Sequence, residues 1–157
     1  MGVPLQARPT SDETAANAQR SIVESFQCLE DWTERYQYLI ELGRRLPPFP
    51  EAKQIEANRL YGCQAGVWLI ADYRNGKLYF EATSDAAIVA GLIALLLQVY
   101  SGREPDQILA TSPAFIDEIG LAEHLSPHRA NGLSLMLARI RSLAMAHVAD
   151  NPTGGRA

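Results

Sequence analysis

The chain has 157 residues, of which 47% are hydrophobic and 20% are charged. This length and composition predict one compact domain over residues 1–157, which buries roughly 70% of the surface that the unfolded chain exposes and needs no stabilising metal or disulfide. Fourteen basic against eighteen acidic residues give a net charge of −4, which argues against nonspecific nucleic-acid binding because such binding requires concentrated Lys and Arg.

Two helices are predicted in the first third of the chain. Residues 1–9 mix glycine, proline and polar side chains and are expected to form a flexible tail. The Ser-Asp-Glu run at residues 11–13 predicts the start of the first helix, because it offers a polar cap and an acidic first turn. Asp31, followed three residues later by Glu34, resembles a capping box and predicts a second helix that ends at Gly43.

A small antiparallel sheet is predicted next. The apolar runs at residues 67–71 and 78–81 are rich in strand-forming residues and predict two strands. The Asn-Gly pair at residues 75–76 favours a tight turn with positive φ between them. Residues 59–61 predict a further short strand, which would lead into a loop that carries Cys63 at one end of the sheet.

A buried helix is predicted after the sheet, over residues 86–100. Ser84 and Asp85 would supply its polar cap and acidic first turn. Gly91 in its interior costs about 1 kcal/mol relative to alanine, which is tolerated where another backbone packs close. The apolar run at residues 86–97 is too short to span a membrane, so it is expected in the protein core.

Three more helices are predicted in the last third of the chain. Pro105 and Pro113 each predict the first turn of a short helix, with Ser112 as the cap of the second. The Ser-Pro pair at residues 126–127 opens a long last helix. Residues 150–157 are polar and are expected to form a second flexible tail.

The candidate functional residue is Cys63, which lies between Gly62 and Gly66. Glycine adopts turn conformations that other residues avoid, so the cysteine is expected at the tip of a loop. Spacing alone leaves two interpretations open, a nucleophile or sulfur carrier and a small buried hydrophobe. The other cysteine, Cys28, lies among helix-forming residues and is expected to be a partly buried helix side chain.

The neighbours of Cys63 also suggest how the loop rests. Tyr61, Val67 and Trp68 are apolar, so the cysteine is expected to lie against the core and to swing outward when a partner docks. Burial raises the pKa of a thiol, and we therefore expect Cys63 to react slowly in the isolated protein.

No metal site or resident cofactor is predicted. The two cysteines form no CxxC pair, and Pro127 between His124 and His128 makes it unfavourable for one continuous helix to carry both histidines. The chain has no GxGxxG or phosphate-loop motif and no lysine in a recognisable Schiff-base motif. The first residues lack the pattern of a secretory signal, so a reducing cytoplasm is expected.

Several separated motifs occur in one order between residues 26 and 140. They are Asp31-Trp32, Gly62-Cys63-Gln64, Val67-Trp68-Leu69, Ser84-Asp85-Ala86-Ala87, Tyr100-Ser101-Gly102 and His124-Leu125-Ser126-Pro127. In this order they resemble the SufE/CsdE family of sulfur-acceptor proteins. The chain departs from the usual residues of that family at Ala65, Gly66, Ala90 and His128, which bears on the choice of partner more than on the basic role.

The resemblance implies an α+β fold, in which several helices pack on a small curved antiparallel sheet, as in SufE and the IscU-like iron–sulfur scaffold. It implies that Cys63 accepts persulfide sulfur from a pyridoxal-phosphate-dependent cysteine desulfurase of the SufS/CsdA type, and that the chain stimulates this enzyme and delivers sulfur to an iron–sulfur scaffold complex. The pyridoxal phosphate stays on the partner. The resemblance also implies loop and docking support from Gly62, Gln64, Asp85, Arg129 and His124.

Other functions remain open. The chain is either a carrier of this kind or a CsdE-type carrier that feeds another sulfur pathway, and both are accessory proteins in sulfur transfer rather than stand-alone enzymes. A non-catalytic interaction module would leave Cys63 inert. A thiol hydrolase would need a base within hydrogen-bond reach of Cys63, and all three histidines lie beyond residue 120.

Overall fold

The computed structural model describes residues 14–150 and confirms the predicted α+β class. In chain order its elements are α1 (Ala15–Gln27), α2 (Trp32–Arg44), β1 (Val67–Arg74), β2 (Lys77–Ser84), α3 (Ala87–Tyr100), α4 (Pro105–Ala110), α5 (Ala114–Glu118) and α6 (Pro127–Asp150). Short 3-10 turns lie at Glu51–Lys53, Glu56–Asn58 and Ala122–His124. The tail expected at residues 1–9, the helix start expected at 11–13 and residues 151–157 of the second tail lie outside the described residues.

β1 and β2 form the predicted antiparallel hairpin. The Asn-Gly pair at residues 75–76 makes its turn with φ of 52° and 80°, as expected for these two residue types. The pairing runs from Val67 with Ser84 at the open end to Arg74 with Lys77 beside the turn. Both strands are longer than the apolar runs that predicted them, because the ladder continues towards the turn in β1 and towards the open end in β2.

Irregular segments pair with both edges of the hairpin. The short strand expected at residues 59–61 contributes one isolated bridge, between Arg59 and Trp68 of β1. On the other edge, the amide of Leu78 in β2 donates to the carbonyl of Arg103 over 2.9 Å. The Arg59 bridge lies where the chain enters β1, so it holds the base of the loop that carries the candidate cysteine.

α2 crosses α3 through close backbone contact at two glycines. A Cβ on Gly91 would lie 2.2 Å from the carbonyl oxygen of Leu39, and one on Gly43 would lie 2.7 Å from the backbone nitrogen of Gly91. The close approach predicted for Gly91 is therefore confirmed. The prediction that Gly43 ends the second helix is wrong, because Gly43 faces α3 inside a helix that continues to Arg44.

α3 is the central helix of the fold. Ten of its 14 residues are buried, so it has no solvent-facing stripe and packs against neighbours on all sides. It begins at Ala87, so the prediction that Asp85 lies in its first turn is wrong, and the Asp85 carboxylate accepts a hydrogen bond from the loop before β1 instead. Among the helices that the structure describes, none combines the length and apolar character needed to cross a membrane.

The later helices begin mostly as predicted. α4 starts at Pro105 and α6 at Pro127. The N–H of the first residue in a helix has no partner within the helix, so a proline at this position costs no hydrogen bond. The Ser126 hydroxyl accepts an amide from the first turn of α6. The predicted cap of α5 is wrong, because Pro113 precedes that helix and Ser112 makes no side-chain cap bond.

The crossing of α2 and α3 predicts the effect of adding one methyl group. Gly91→Ala should lower the free energy of unfolding by about 2 kcal/mol, since overpacking a close contact costs more than the roughly 1 kcal/mol that alanine gains over glycine in a helix. Gly132→Ala in α6 is the matched control, because its nearest contact would be an ordinary 3.8 Å. Urea unfolding midpoints measure both variants, and equal stability of the two would contradict the close crossing.

Candidate functional site

The candidate site is built around residues 62–66, which we call the Cys63 loop. The loop connects the bridge at Arg59 to the first residue of β1. Gly62 has a φ of 96°, in the left-handed region where a Cβ is unfavourable, so the glycine before the cysteine is required by the backbone. The prediction that glycine allows a turn beside the cysteine is confirmed at Gly62.

The thiol of Cys63 faces a cleft of about 620 Å³. The cleft lies between the Cys63 loop, the start of α3 and the first turns of α6. Of the residues predicted to support the loop, Gln64, Asp85 and Arg129 line it together with Cys63. Ala65 and His128 also line the cleft, so two of the four positions that differ from the resembled family lie in the site.

Asp85 holds the end of the Cys63 loop that leads into β1. Its Oδ1 accepts a hydrogen bond from the amide of Gly66 over 2.9 Å, and its own amide donates to the Gly66 carbonyl over 3.2 Å. A Cβ on Gly66 would lie 2.6 Å from both the Asp85 carboxylate and the Trp68 ring. The departure from the family at Gly66 therefore has a steric reason in this chain.

Asn131, in the second turn of α6, holds the other end of the loop. Its side-chain amide donates to the carbonyl of Gly62 over 3.1 Å. Sequence reasoning missed this residue, because a single asparagine within a helical pattern carries no signal and its partner lies 69 positions earlier. The Leu135 side chain packs on the same stretch, 3.0 Å from where a Gly62 Cβ would be.

The environment of Cys63 is poor in groups that would activate a thiol. The residue is half-buried, and this desolvation raises the pKa of the thiol above its ordinary value, while the charge of Arg59 lowers it by less. Within the described residues, the thiol has no hydrogen-bond partner, and His128 is the histidine that lines its cleft. A thiol hydrolase needs a base in contact with the nucleophile, and the geometry provides no such contact.

Neither Tyr61 nor Trp68, two of the apolar neighbours expected to keep Cys63 against the core, lines the cleft. Tyr61 is 67% exposed and its hydroxyl donates to Glu56, so it does not cover Cys63. Trp68 is half-buried on the hairpin, with the Arg59 guanidinium 5.4 Å from its ring centroid. Val67 alone among the three apolar neighbours is both fully buried and part of the cleft.

His124 lies away from the cleft. Its ring stacks on Trp32 with 4.0 Å between centroids, and its Nδ1 lies 3.0 Å from the carbonyl oxygen of Gly120. Its own carbonyl accepts a hydrogen bond from the Tyr36 hydroxyl. These contacts give His124 a packing role between α2 and the turn before α6, and its support of docking stays a prediction.

Cys28 is exposed, and the prediction of a partly buried helix side chain is wrong. It follows the last residue of α1 as the C-cap, outside the buried stripe that contains Ile22 and Phe26. The protein therefore carries one exposed thiol and one half-buried thiol. In the described part of the chain no three metal-ligating side chains come together.

Comparisons with known proteins agree on one family. Residues 20–144 match the SufE family, described as an Fe-S metabolism associated domain. An uncharacterized SufE-like protein of Rhizobium meliloti is 43% identical over 128 residues, which cover 78% of this chain and 91% of the relative. An uncharacterized SufE-like protein of Synechocystis is 39% identical over 125 residues, covering 80% of this chain and 79% of the relative.

A solved structure shares the fold. The solution structure of a hypothetical protein from Thermus thermophilus matches with a TM-score of 0.69 and 27% sequence identity. The match covers 84% of this chain and 96% of that protein. Nearly the whole of that structure therefore has the same arrangement of helices around the hairpin.

The two thiols predict different alkylation behaviour. At pH 7, iodoacetamide should modify Cys63 more slowly than Cys28, because only the thiolate reacts and burial disfavours the thiolate of Cys63. The Cys63 rate should continue to rise above the pH at which an ordinary thiol has fully ionised. Peptide mass spectrometry separates the two cysteines in one sample, with urea-unfolded protein as the control in which both react alike. Equal rates in the folded protein would contradict the shielding of Cys63.

Proposed function

Because the chain belongs to the SufE family, we propose that it is a sulfur acceptor and carrier for iron–sulfur cluster assembly. Proteins of this family are associated with Fe-S metabolism. In the proposed function, Cys63 takes persulfide sulfur from a pyridoxal-phosphate-dependent cysteine desulfurase, and the chain stimulates that enzyme. The sulfur is then passed to an iron–sulfur scaffold complex in the cytoplasm.

One observation supports this proposal most strongly: the half-buried thiol of Cys63 faces an open cleft and has no hydrogen-bond partner among the described residues. A structural cysteine needs no cleft, and a hydrolytic cysteine needs a base. A carrier needs space beside the thiol for an incoming persulfide and, later, for an acceptor. The geometry fits the carrier best.

The transfer itself is a thiol exchange that needs no added oxidant. The Cys63 thiolate attacks the outer sulfur of the desulfurase cysteine persulfide, and the bond between the two sulfur atoms of the donor breaks. The desulfurase cysteine leaves as a thiolate, while the outer sulfur stays bonded to Cys63 as a new persulfide. One sulfur–sulfur bond forms and one breaks, so the sulfur keeps its oxidation state.

Two groups in the cleft favour a negative charge on the sulfur. Arg129 and the amino end of α6 line the cleft together with the Asp85 carboxylate, and the guanidinium and the helix end attract an anion. A persulfide ionises more readily than a thiol, so the loaded carrier would gain more from this field than the unloaded one. Arg129 and Gln64 are exposed and would also be accessible to the desulfurase.

Shielding of the sulfur in transit comes from the packing of Cys63 on α6 rather than from Tyr61. A Cβ on Gly132 of α6 would lie 3.8 Å from the Cys63 Sγ, and the buried Val67 lines the same cleft. Opening of the loop would expose the sulfur to donor and acceptor in turn. His128, in place of the family's usual serine, lies where the partner would approach and is a candidate for partner choice.

Replacement of each cysteine tests the assignment. Cys63→Ser should abolish sulfur uptake and leave the fold intact, because a hydroxyl has similar size but is far less nucleophilic at neutral pH. Cys28→Ser is the matched control and should accept sulfur normally. Mass spectrometry after incubation with a cysteine desulfurase and cysteine detects the added sulfur. Uptake retained by Cys63→Ser and lost by Cys28→Ser would mean that the acceptor is misassigned.

Replacement of Asp85 tests whether the loop moves. Asp85→Arg removes the acceptor of the Gly66 amide and should speed alkylation of Cys63 several-fold, as should binding of the desulfurase. Asp72→Arg, in the hairpin away from the cleft, is the matched control and should leave the rate unchanged. Equal alkylation rates in the free, bound and Asp85→Arg proteins would rule out loop opening while leaving the acceptor role intact.

A further inference from the structure

In the part of the chain that the structure describes, the hydrogen bonds of the Cys63 loop lie only at its two ends. Within the described residues, Cys63, Gln64 and Ala65 make no hydrogen bond to the rest of the protein. The loop is held at Gly66 by Asp85 and at Gly62 by Asn131. A segment fixed in this way can move as a flap if one of its two ends is released.

The Gly66 end is the firmer of the two. It is held by two hydrogen bonds with Asp85, and the next residue, Val67, accepts the amide of Leu60 over 2.8 Å. The chain then continues into the hairpin ladder without a break. Release of this end would disturb the start of β1 and the approach to α3 together.

The Gly62 end is held by one side-chain hydrogen bond, beside the packing of Leu135. Asn131 donates one hydrogen bond of 3.1 Å to the Gly62 carbonyl, from an exposed position on α6. The backbone at Gly62 has a φ of 96° and, without a Cβ, meets little steric resistance when this angle changes. Opening the loop at Gly62 breaks this one hydrogen bond and frees the next residue, Cys63.

We propose that Asn131 is a positioning residue that latches the Cys63 loop closed, and that its hydrogen bond to Gly62 breaks when the loop opens about the Gly66 end. Only the identity of the partner that opens the latch rests on the proposed function. Asn131 acts through Gly62 and touches no reacting atom. It sets how often the thiol leaves the α6 surface, on which Gly132 lies next to the Cys63 Sγ.

The test measures Cys63 alkylation in the isolated protein. Asn131→Ala removes the donor and keeps a good helix former, so Cys63 should react about fivefold faster, the factor expected for the loss of one hydrogen bond. The pH midpoint of the Cys63 reaction should also move down towards that of an ordinary thiol, because the open loop relieves desolvation. A merely structural role of Asn131 would not shift this midpoint.

Two further variants and an internal standard complete the test. Asn131→Gln keeps an amide donor on a longer side chain and should restore most of the closed state. Asn131→Leu keeps the side-chain volume without a donor and should repeat the acceleration, which covers the case in which the alanine variant is unstable. Exposed Cys28, measured in the same samples, should react at an unchanged rate in every variant.

The outcomes separate the latch from the function. Unchanged Cys63 rates and pH midpoints in both Asn131→Ala and Asn131→Leu overturn the latch, whatever the sulfur assay shows. Faster alkylation without rescue by Asn131→Gln overturns the hydrogen-bond explanation in favour of altered packing. Faster alkylation with rescue by Asn131→Gln supports the latch. If neither the wild type nor any variant takes up sulfur from a desulfurase, only the proposed function fails.

Discussion

Close backbone contact between α2 and α3 organises this protein. The two glycines at the crossing, Gly43 and Gly91, bring the helix axes together at a distance that any side chain would prevent. α3 can then be buried over most of its length, with α2 on one side and the hairpin and α6 on others. Because the start of α3 and the start of α6 converge in this packing, a cleft forms between them, and the Cys63 loop crosses its mouth. The site is therefore a product of helix packing more than of the loop sequence.

The loop combines a fixed end and a weakly held end, and this difference suits a carrier. Asp85 ties Gly66 to the approach of α3 by two hydrogen bonds, whereas Asn131 contributes one bond at Gly62. A thiol held too firmly would not reach two successive partners, and one held too loosely would lose its sulfur to any reductant. Net stabilisation of about 1 kcal/mol per hydrogen bond keeps the closed state favoured and the open state accessible.

The sequence predicted what depends on neighbouring residues and missed what depends on distant ones. The turn at residues 75–76 and the helix start at Pro127 follow from local backbone preferences, and both are confirmed. The sequence predicts Asp85 in the first turn of α3, because its actual partner, Gly66, lies 19 positions away and cannot be recognised from spacing. The helix-ending role expected of Gly43 failed for the same reason, since its contact is with another helix. Three of the loop supports expected from family resemblance line the cleft, and periodicity alone could not have placed them there.

The hairpin separates the reactive end of the sheet from its turn. Each strand has eight residues, so the turn at residues 75–76 lies roughly 25 Å from the Cys63 loop along the strands. The turn is exposed, and a Cβ at Gly76 would meet no atom within 4 Å. A fluorophore or affinity handle attached at this turn would thus report on the protein from a distance, leaving the cleft free for whichever protein docks there.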